Sequence, residues 1–312
     1  MLHLRLIVPT GRTDEVVRLV ERSVGATHLV LMPGAALDPA GDVVTCDVAR
    51  EAVDEVIAAL RGLGIDRSGA IAMEDTELTL SAHADRAEKE APGEGVDAVL
   101  WEKLADATHE ESTFSATYLA FLSVATMLAA CGVMLDNAVL IVGAMAVGPE
   151  FGPLAGISTA LVRRAPRLVW RSLWTLIGGF AVAMVVTAGF AWLMNGLGLF
   201  TAAMIEADRP NTSFIWQPDW MSLVVALLAG IAGTLSLTSA KSGALIGVAI
   251  SVTTVPAAAN AAVAFSYQDL SQTLGSAGQL MANLGGIVLA GTLTLLLQKA
   301  LWALHLRRIR SA

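Results

Sequence analysis

Six long apolar runs decide what this chain can fold into. They lie at 116–135, 138–162, 169–194, 221–239, 243–265 and 279–303. Each approaches or exceeds the ~20 residues that an α-helix needs to cross a hydrocarbon core of ~30 Å. Runs this long, this apolar and this numerous do not suit a soluble core. They predict a polytopic helical membrane domain over 113–312. Charge divides at the same place: residues 1–112 hold 10 Lys and Arg against 22 Asp and Glu, whereas 113–312 hold 10 against 6. The net charge of −8 comes without a basic cluster on the acidic part, so nucleic acid is not an expected partner. Cys46 and Cys131 fall in different parts, which excludes a disulfide framework. No basic start followed by an apolar run opens the sequence, so no signal peptide is expected.

The connections between runs assign the sides. Arg163, Arg164, Arg167 and Arg171 flank the turn between runs two and three, Lys241 separates four from five, and Lys299, Arg307, Arg308 and Arg310 close the sequence. Only Arg209 falls on the opposite side. The excess of positive charge marks the cytoplasmic face, so both termini are expected inside a cell (inner or plasma) membrane crossed several times. Trp170, Trp174 and Trp302 then fall near the inner boundary, and Trp192, Trp216 and Trp220 near the outer one.

The front part, 1–81, reads as strand 2–8, a short helix after Thr13 as cap, strand 27–32 ended by Pro33-Gly34, strand 42–48, a helix closed by Gly64, and strand 68–73. That β-α-β-β-α-β order predicts a cytosolic α/β ferredoxin-like domain. Residues 82–112 read as a polar linker followed by an amphipathic connector helix, with Glu102, Lys103, Asp106, Glu110 and Glu111 on its polar side. His3, His28 and His83 stand apart in sequence and read as ordinary surface or core histidines, and Cys46 as a small core residue of the third strand. Neither a cofactor nor a metal is expected.

Runs two and five carry the breaks. Run two contains Gly148, Pro149, Glu150, Gly152 and Pro153, and run five contains Thr253, Thr254, Pro256 and Asn260. Proline removes an amide donor and clashes with the preceding turn. Backbone groups freed at membrane depth must be buried in protein or face water. Leu140-Ile141 matches Leu245-Ile246, and Ile177-Gly178-Gly179 matches Leu284-Gly285-Gly286, at offsets near 105. Halves of three spans each would begin on opposite sides, so the pattern predicts a 3+3 inverted repeat with interrupted spans two and five. Breaks at matching places in such halves point to a solute or ion site. The plainer alternative is two kinks packed through small residues. Glu150 is the one acidic residue well inside a run. It is open to three roles: a cation ligand, a proton acceptor, or a strut for the broken helix. Thr253, Thr254, Asn260 and Asn283 would add oxygens from the second half.

The blocks Gly143-Ala144-Met145 to Gly148-Pro149-Glu150-Phe151-Gly152-Pro153, Ser239-Ala240-Lys241-Ser242-Gly243-Ala244-Leu245 to Val255-Pro256, and Asn283-Leu284-Gly285-Gly286-Ile287 occur in an order that resembles the bacterial membrane family called domain of unknown function 389. The resemblance covers about 115–300, and implies a multi-span inner-membrane protein without a known substrate or catalytic residue. Many members look apolar where Glu150 stands. The function expected is a transporter or channel for a small solute or ion, regulated by the cytosolic domain. The alternative is a non-transporting sensor or scaffold whose ferredoxin-like domain binds a ligand or partner. An enzyme is not expected, because one glutamate and no histidine in the spans provide no acid–base pair or metal cluster. Small-residue faces such as Gly230, Gly233 and Gly285-Gly286 favour a homo-oligomer in the lipid bilayer.

Overall fold

The computed structural model describes residues 1–311 apart from 77, 92, 94–98, 218 and 239–253, with side chains described up to residue 304. The chain divides into two compact units, one built on Met1–Glu102 and one on Lys103–Leu237 with the later helices up to Lys299.

The front unit contains β1 (Leu2–Val8), α1 (Thr13–Arg22), β2 (Ala26–Leu37), β3 (Ala40–Val48), α2 (Val53–Gly62), the single turn α3 (Ile65–Ser68) and β4 (Ala70–Asp75). The sheet order is β2-β3-β1-β4, and every neighbouring pair runs antiparallel. Alternation along β1 buries Leu2, Leu4, Leu6 and Val8, and Val44, Cys46 and Val48 of β3 join them. Val16 and Val20 of α1 and Val53, Val56, Ile57 and Leu60 of α2 close this core from the helical side. Cys46 is paired with Leu4 across the strands. Burial pushes its thiol up to about 12, so it acts as the small core residue expected of it.

Three local readings change. Thr13 does not cap α1: a 3-10 turn at Thr10–Arg12 already leads into the helix, and the Thr13 hydroxyl donates instead to the buried Asp42 carboxylate. Pro33-Gly34 does not end β2. A register irregularity between Met32 and Ala36 absorbs it, with Gly34 at φ +64° and its N–H donating to Asp42 Oδ1 at 2.7 Å. The polar stretch after residue 81 contains α4 (Ala82–Glu90), because Ser81 accepts from the amides of His83 and Ala84 and so caps a helix that buries Ala84 and Ala87.

The second unit contains α5 (Trp101–Glu111, which begins in the front unit), α6 (Ala116–Met134), α7 (Ala138–Val147), α8 (Phe151–Arg163), α9 (Pro166–Gly196), α10 (Ala202–Glu206), α11 (Trp220–Thr238), α12 (Thr254–Ser266) and α13 (Leu270–Ser311). Among the described residues, α6, α9, α11 and α13 are long and apolar enough to cross a membrane, and α7 with α8 makes a fifth candidate bent by 54°. The predicted fifth run is described only from Thr254 onward. Phe121, Ile177, Val185, Leu228, Leu293 and Leu297 face outward on these helices, as lipid-facing positions do, and Trp170, Trp174, Trp192 and Trp220 are exposed near helix ends.

Corresponding starts and joints recur along this unit. Helix α6 starts at Ala116 and α11 at Trp220, and α8 ends at Arg163 and α12 at Ser266. Ser115 Oγ accepts from Tyr118 N–H at the start of α6, and Asp219 Oδ1 accepts from Ser222 N–H at the start of α11. After α8, Arg164 adopts φ +56° and Ala165 N–H returns to Ala160 O at 2.9 Å. After α12, Gln268 adopts φ +62° and Asp269 N–H returns to Ala264 O at 3.0 Å. Both are left-handed closures that satisfy end carbonyls and release the next helix. Helix α13 starts nine residues before its apolar run because Gln272, Ser276, Gln279 and Asn283, spaced by four, three and four, share one face and are all buried.

Candidate functional site

The break between α7 and α8 consists of Gly148, Pro149 and Glu150. Gly148 turns the backbone to an extended conformation, and Glu150 returns it to helical geometry just before Phe151. Proline at 149 cannot donate to the preceding turn, so the ladder opens there. Pro153 lies in the first turn of α8, where a missing N–H leaves no helical carbonyl unpaired, and Pro256 lies near the first described residue of α12. Both helices are nearly enclosed, with residues 152–160 of α8 and 254–264 of α12 buried.

The start of α8 and the first described residues of α12 meet at Glu150. Its side chain is 1 % exposed, and its Oε1 accepts from Thr254 Oγ1 at 2.8 Å. A β-carbon added at Gly148 would collide with the Glu150 carboxylate and lie 2.8 Å from Val255 Cγ2. Glycine is therefore what lets the break close over the acid. Tyr118 of α6 lies close enough for the Glu150 charge to act on it, and its buried hydroxyl has no hydrogen-bond partner among the described residues. Gly152 brings α8 against the end of α5: a β-carbon there would fall 2.5 Å from Glu111 Cβ and 2.7 Å from its Oε2.

Of the residues singled out in the sequence, Gly148, Glu150 and Thr254 come together, with Pro149 in the same break. Gly152 and Pro153 stand in the first turn of α8, and Pro256 lies two residues beyond Thr254 in α12. Thr253 lies outside the described residues. Asn260 falls in a second cluster, about 9 Å further along α12 at 1.5 Å per residue. There its Nδ2 donates to Ser276 Oγ at 2.8 Å, and its Oδ1 accepts from Arg209 Nη1 at 3.3 Å. Asn283 lies deeper on the same face of α13, where its Oδ1 accepts from Gln279 Nε2 at 3.5 Å. Sequence reading missed Tyr118, Glu111 and Arg209. Only Arg209 left a signal, as the one cation on its side of the predicted topology. In the front unit His3 and His28 are not isolated: their Nδ1 atoms reach Asp47 at 2.8 and 2.7 Å, and His28 Nε2 meets Ser81 Oγ at 2.8 Å. Two backbone amides already donate to that oxygen, which marks it as a helix cap rather than a nucleophile. Among the described residues, no group of three His, Cys, Asp or Glu is placed to hold a metal ion.

The stretch from α7 through the break, α8 and α12 to Leu289 of α13 is also where the chain meets known sequences. Residues 145–289 match the family described as Domain of unknown function (DUF389). The resemblance read from the separated Gly, Pro and Asn blocks is thus shown. The chain is 26 % identical over 179 residues to the uncharacterized protein MJ0678 of Methanocaldococcus jannaschii, a match covering 57 % of this chain and 52 % of that protein. The matched region thus spans about half the length of this curated relative. No solved structure matches the chain.

Proposed function

We propose that this DUF389-type chain is a transporter or channel for a small solute or ion in the cell membrane, regulated by its front unit. The observation that carries the reading is the interrupted α7–α8 segment, whose buried Glu150 is bonded across to Thr254 of α12. Broken helices at membrane depth are tolerated where protein or a watery cavity satisfies them, and transporters place their sites at such half-helix ends. The membrane unit is then a 3+3 inverted repeat of six spans with both termini cytoplasmic. Its support is the recurrence, at an offset of 104, of the capped starts of α6 and α11 and of the closing turns after α8 and α12. Glu150 and Thr254 stand at corresponding places in the two halves, so their bond lies on the pseudo-symmetry axis. The front unit is read as a ferredoxin-like sandwich on its strand order and crossing helices. The assembly is read as a homo-oligomer without enzymatic chemistry.

Flux measured in liposomes across a panel of ions and small metabolites tests the reading. Wild-type protein is expected to carry at least one of them, and Glu150→Gln to alter that rate at least tenfold. No flux across the panel, together with Glu150→Gln and Pro153→Ala variants indistinguishable from wild type, would overturn it in favour of a non-transporting sensor.

A further inference from the structure

Arg209 is a buried cation that the break does not use. It lies between α10 and α11 and is only 4 % exposed. Its segment is tied down: Asn211 Nδ2 and Thr212 Oγ1 each donate to the Asp136 carboxylate at 2.8 Å, and Thr212 N–H closes a turn onto Arg209 O. The guanidinium therefore enters the helices on a fixed stem. There Nη1 donates to Asn260 Oδ1 and Nη2 to Gln272 Oε1. Both acceptors are neutral amides. Asp136 and Asp269 are near enough to act on its charge, but neither forms an ion pair with it among the described residues. The buried Nε has no hydrogen-bond partner there.

Even with two carboxylates near enough to act on the charge, leaving a buried donor of the guanidinium unmet is costly. Nε–H and an adjacent Nη–H form a planar pair of parallel donors, the edge that fits two oxygens of a carboxylate or an inorganic oxyanion. Polar groups continue inward from that edge. Ser276, Gln279 and Asn283 follow Gln272 on the buried face of α13, and Gln279 Oε1 is a second buried polar atom without a partner among the described residues. A structural strut would be expected to satisfy its own donors; this arrangement holds one ready.

We propose that Arg209, with Asn260 and Gln272 fixing its plane, anchors a binding site for a small oxyanion, and that the polar face of α13 lines the way inward from it. The site goes beyond the transport reading and does not need it, since binding can be measured on protein that moves nothing.

The test is melting of the full chain in nanodiscs, followed by intrinsic fluorescence, with sodium acetate or sodium phosphate added at ionic strength held constant by chloride. Wild type is expected to show a saturable rise in Tm with at least one of them. A response to acetate alone assigns an organic carboxylate, and a response to phosphate alone an inorganic oxyanion. Arg209→Gln is expected to lose the response. Arg209→Lys keeps the charge without the planar fork and is expected to bind at least tenfold more weakly, which decides the matter if the glutamine variant does not fold. No saturable response in wild type overturns the proposal, as does wild-type affinity in either variant.

Discussion

At Glu150 the local energetics turn on a single hydroxyl. Thr254 is fully buried and donates to the carboxylate at 2.8 Å, so replacing it by the isosteric Val leaves an acceptor without this donor. Removing the partner of a buried polar group costs about 1–3 kcal/mol. Thr254→Val is expected to lower stability by about that amount in a thermal melt, and Thr254→Ser, which keeps the hydroxyl, to stay close to wild type. Equal melts for Val and Ser would remove the bond from the account. Asp47 makes the second residue-scale case. Burial pushes its carboxyl up, but hydrogen bonds from His28 and His3 outweigh this and hold it below the usual aspartate value. The unfolded chain then binds more protons than the folded one as acid is added, so this stabilisation is full above the ordinary Asp range. It is lost as pH falls through the depressed value. Amide-exchange protection of β1 and β3, corrected for intrinsic rates, is expected to fall from about pH 5 downward, beginning near the ordinary Asp range. Asp47→Asn should flatten that fall, and an unchanged acid slope in the variant would refute the assignment. Glu150 was legible in the sequence because an acid inside an apolar run is costly and rare. Asp47 was not, because its partners lie 44 and 19 residues away and meet only through strand pairing.

Among elements, the breaks were easier to read than the lengths. Pro149 and the glycines around it forecast the opening between α7 and α8, since proline acts on the turn that contains it. The start of α13 was hidden, because Gln272 and Ser276 look like loop residues until their burial against Arg209 and Asn260 is known. Small residues show the same dependence on context. Gly230 of α11 lies against α13, where a β-carbon would come 2.6 Å from Ile287 O and 2.9 Å from Ala290 Cβ. Gly285 of α13 has nothing within 4 Å among the described residues. Gly230→Ala is therefore expected to force the helices apart and cost about 1–3 kcal/mol. Gly285→Ala is expected to be neutral or to stabilise by up to about 1 kcal/mol through helix propensity alone. Denaturant titration of the two variants checks the contrast. Equal effects would mean that α11 and α13 do not pack through Gly230.

For the whole molecule the open quantity is how many times the chain crosses, and one turn decides it. If α7 and α8 together form a broken span, the turn at Arg164 lies on the same side as the front unit. If the pair dips in and returns, Arg164 shares a side with Asp136 at the far end of α6. The arginines at 163, 164, 167 and 171 argue for the first arrangement, since positive charge gathers on the cytoplasmic face. The recurrence of helix starts and closing turns argues the same way, because two halves of three crossings reverse orientation only when each bent or interrupted segment counts as one. A variant with Cys46 and Cys131 replaced by Ser, carrying one new cysteine at a time, separates the cases with a membrane-impermeant maleimide. Arg86, Arg164 and Asp208 are exposed and suit the purpose. Asp208→Cys is expected to label in intact cells, and Arg86→Cys and Arg164→Cys only after permeabilisation. Labelling of Arg164→Cys from outside would make the pair a re-entrant hairpin. The chain would then lose the reversed second half, and with it the axis on which Glu150 and Thr254 were placed.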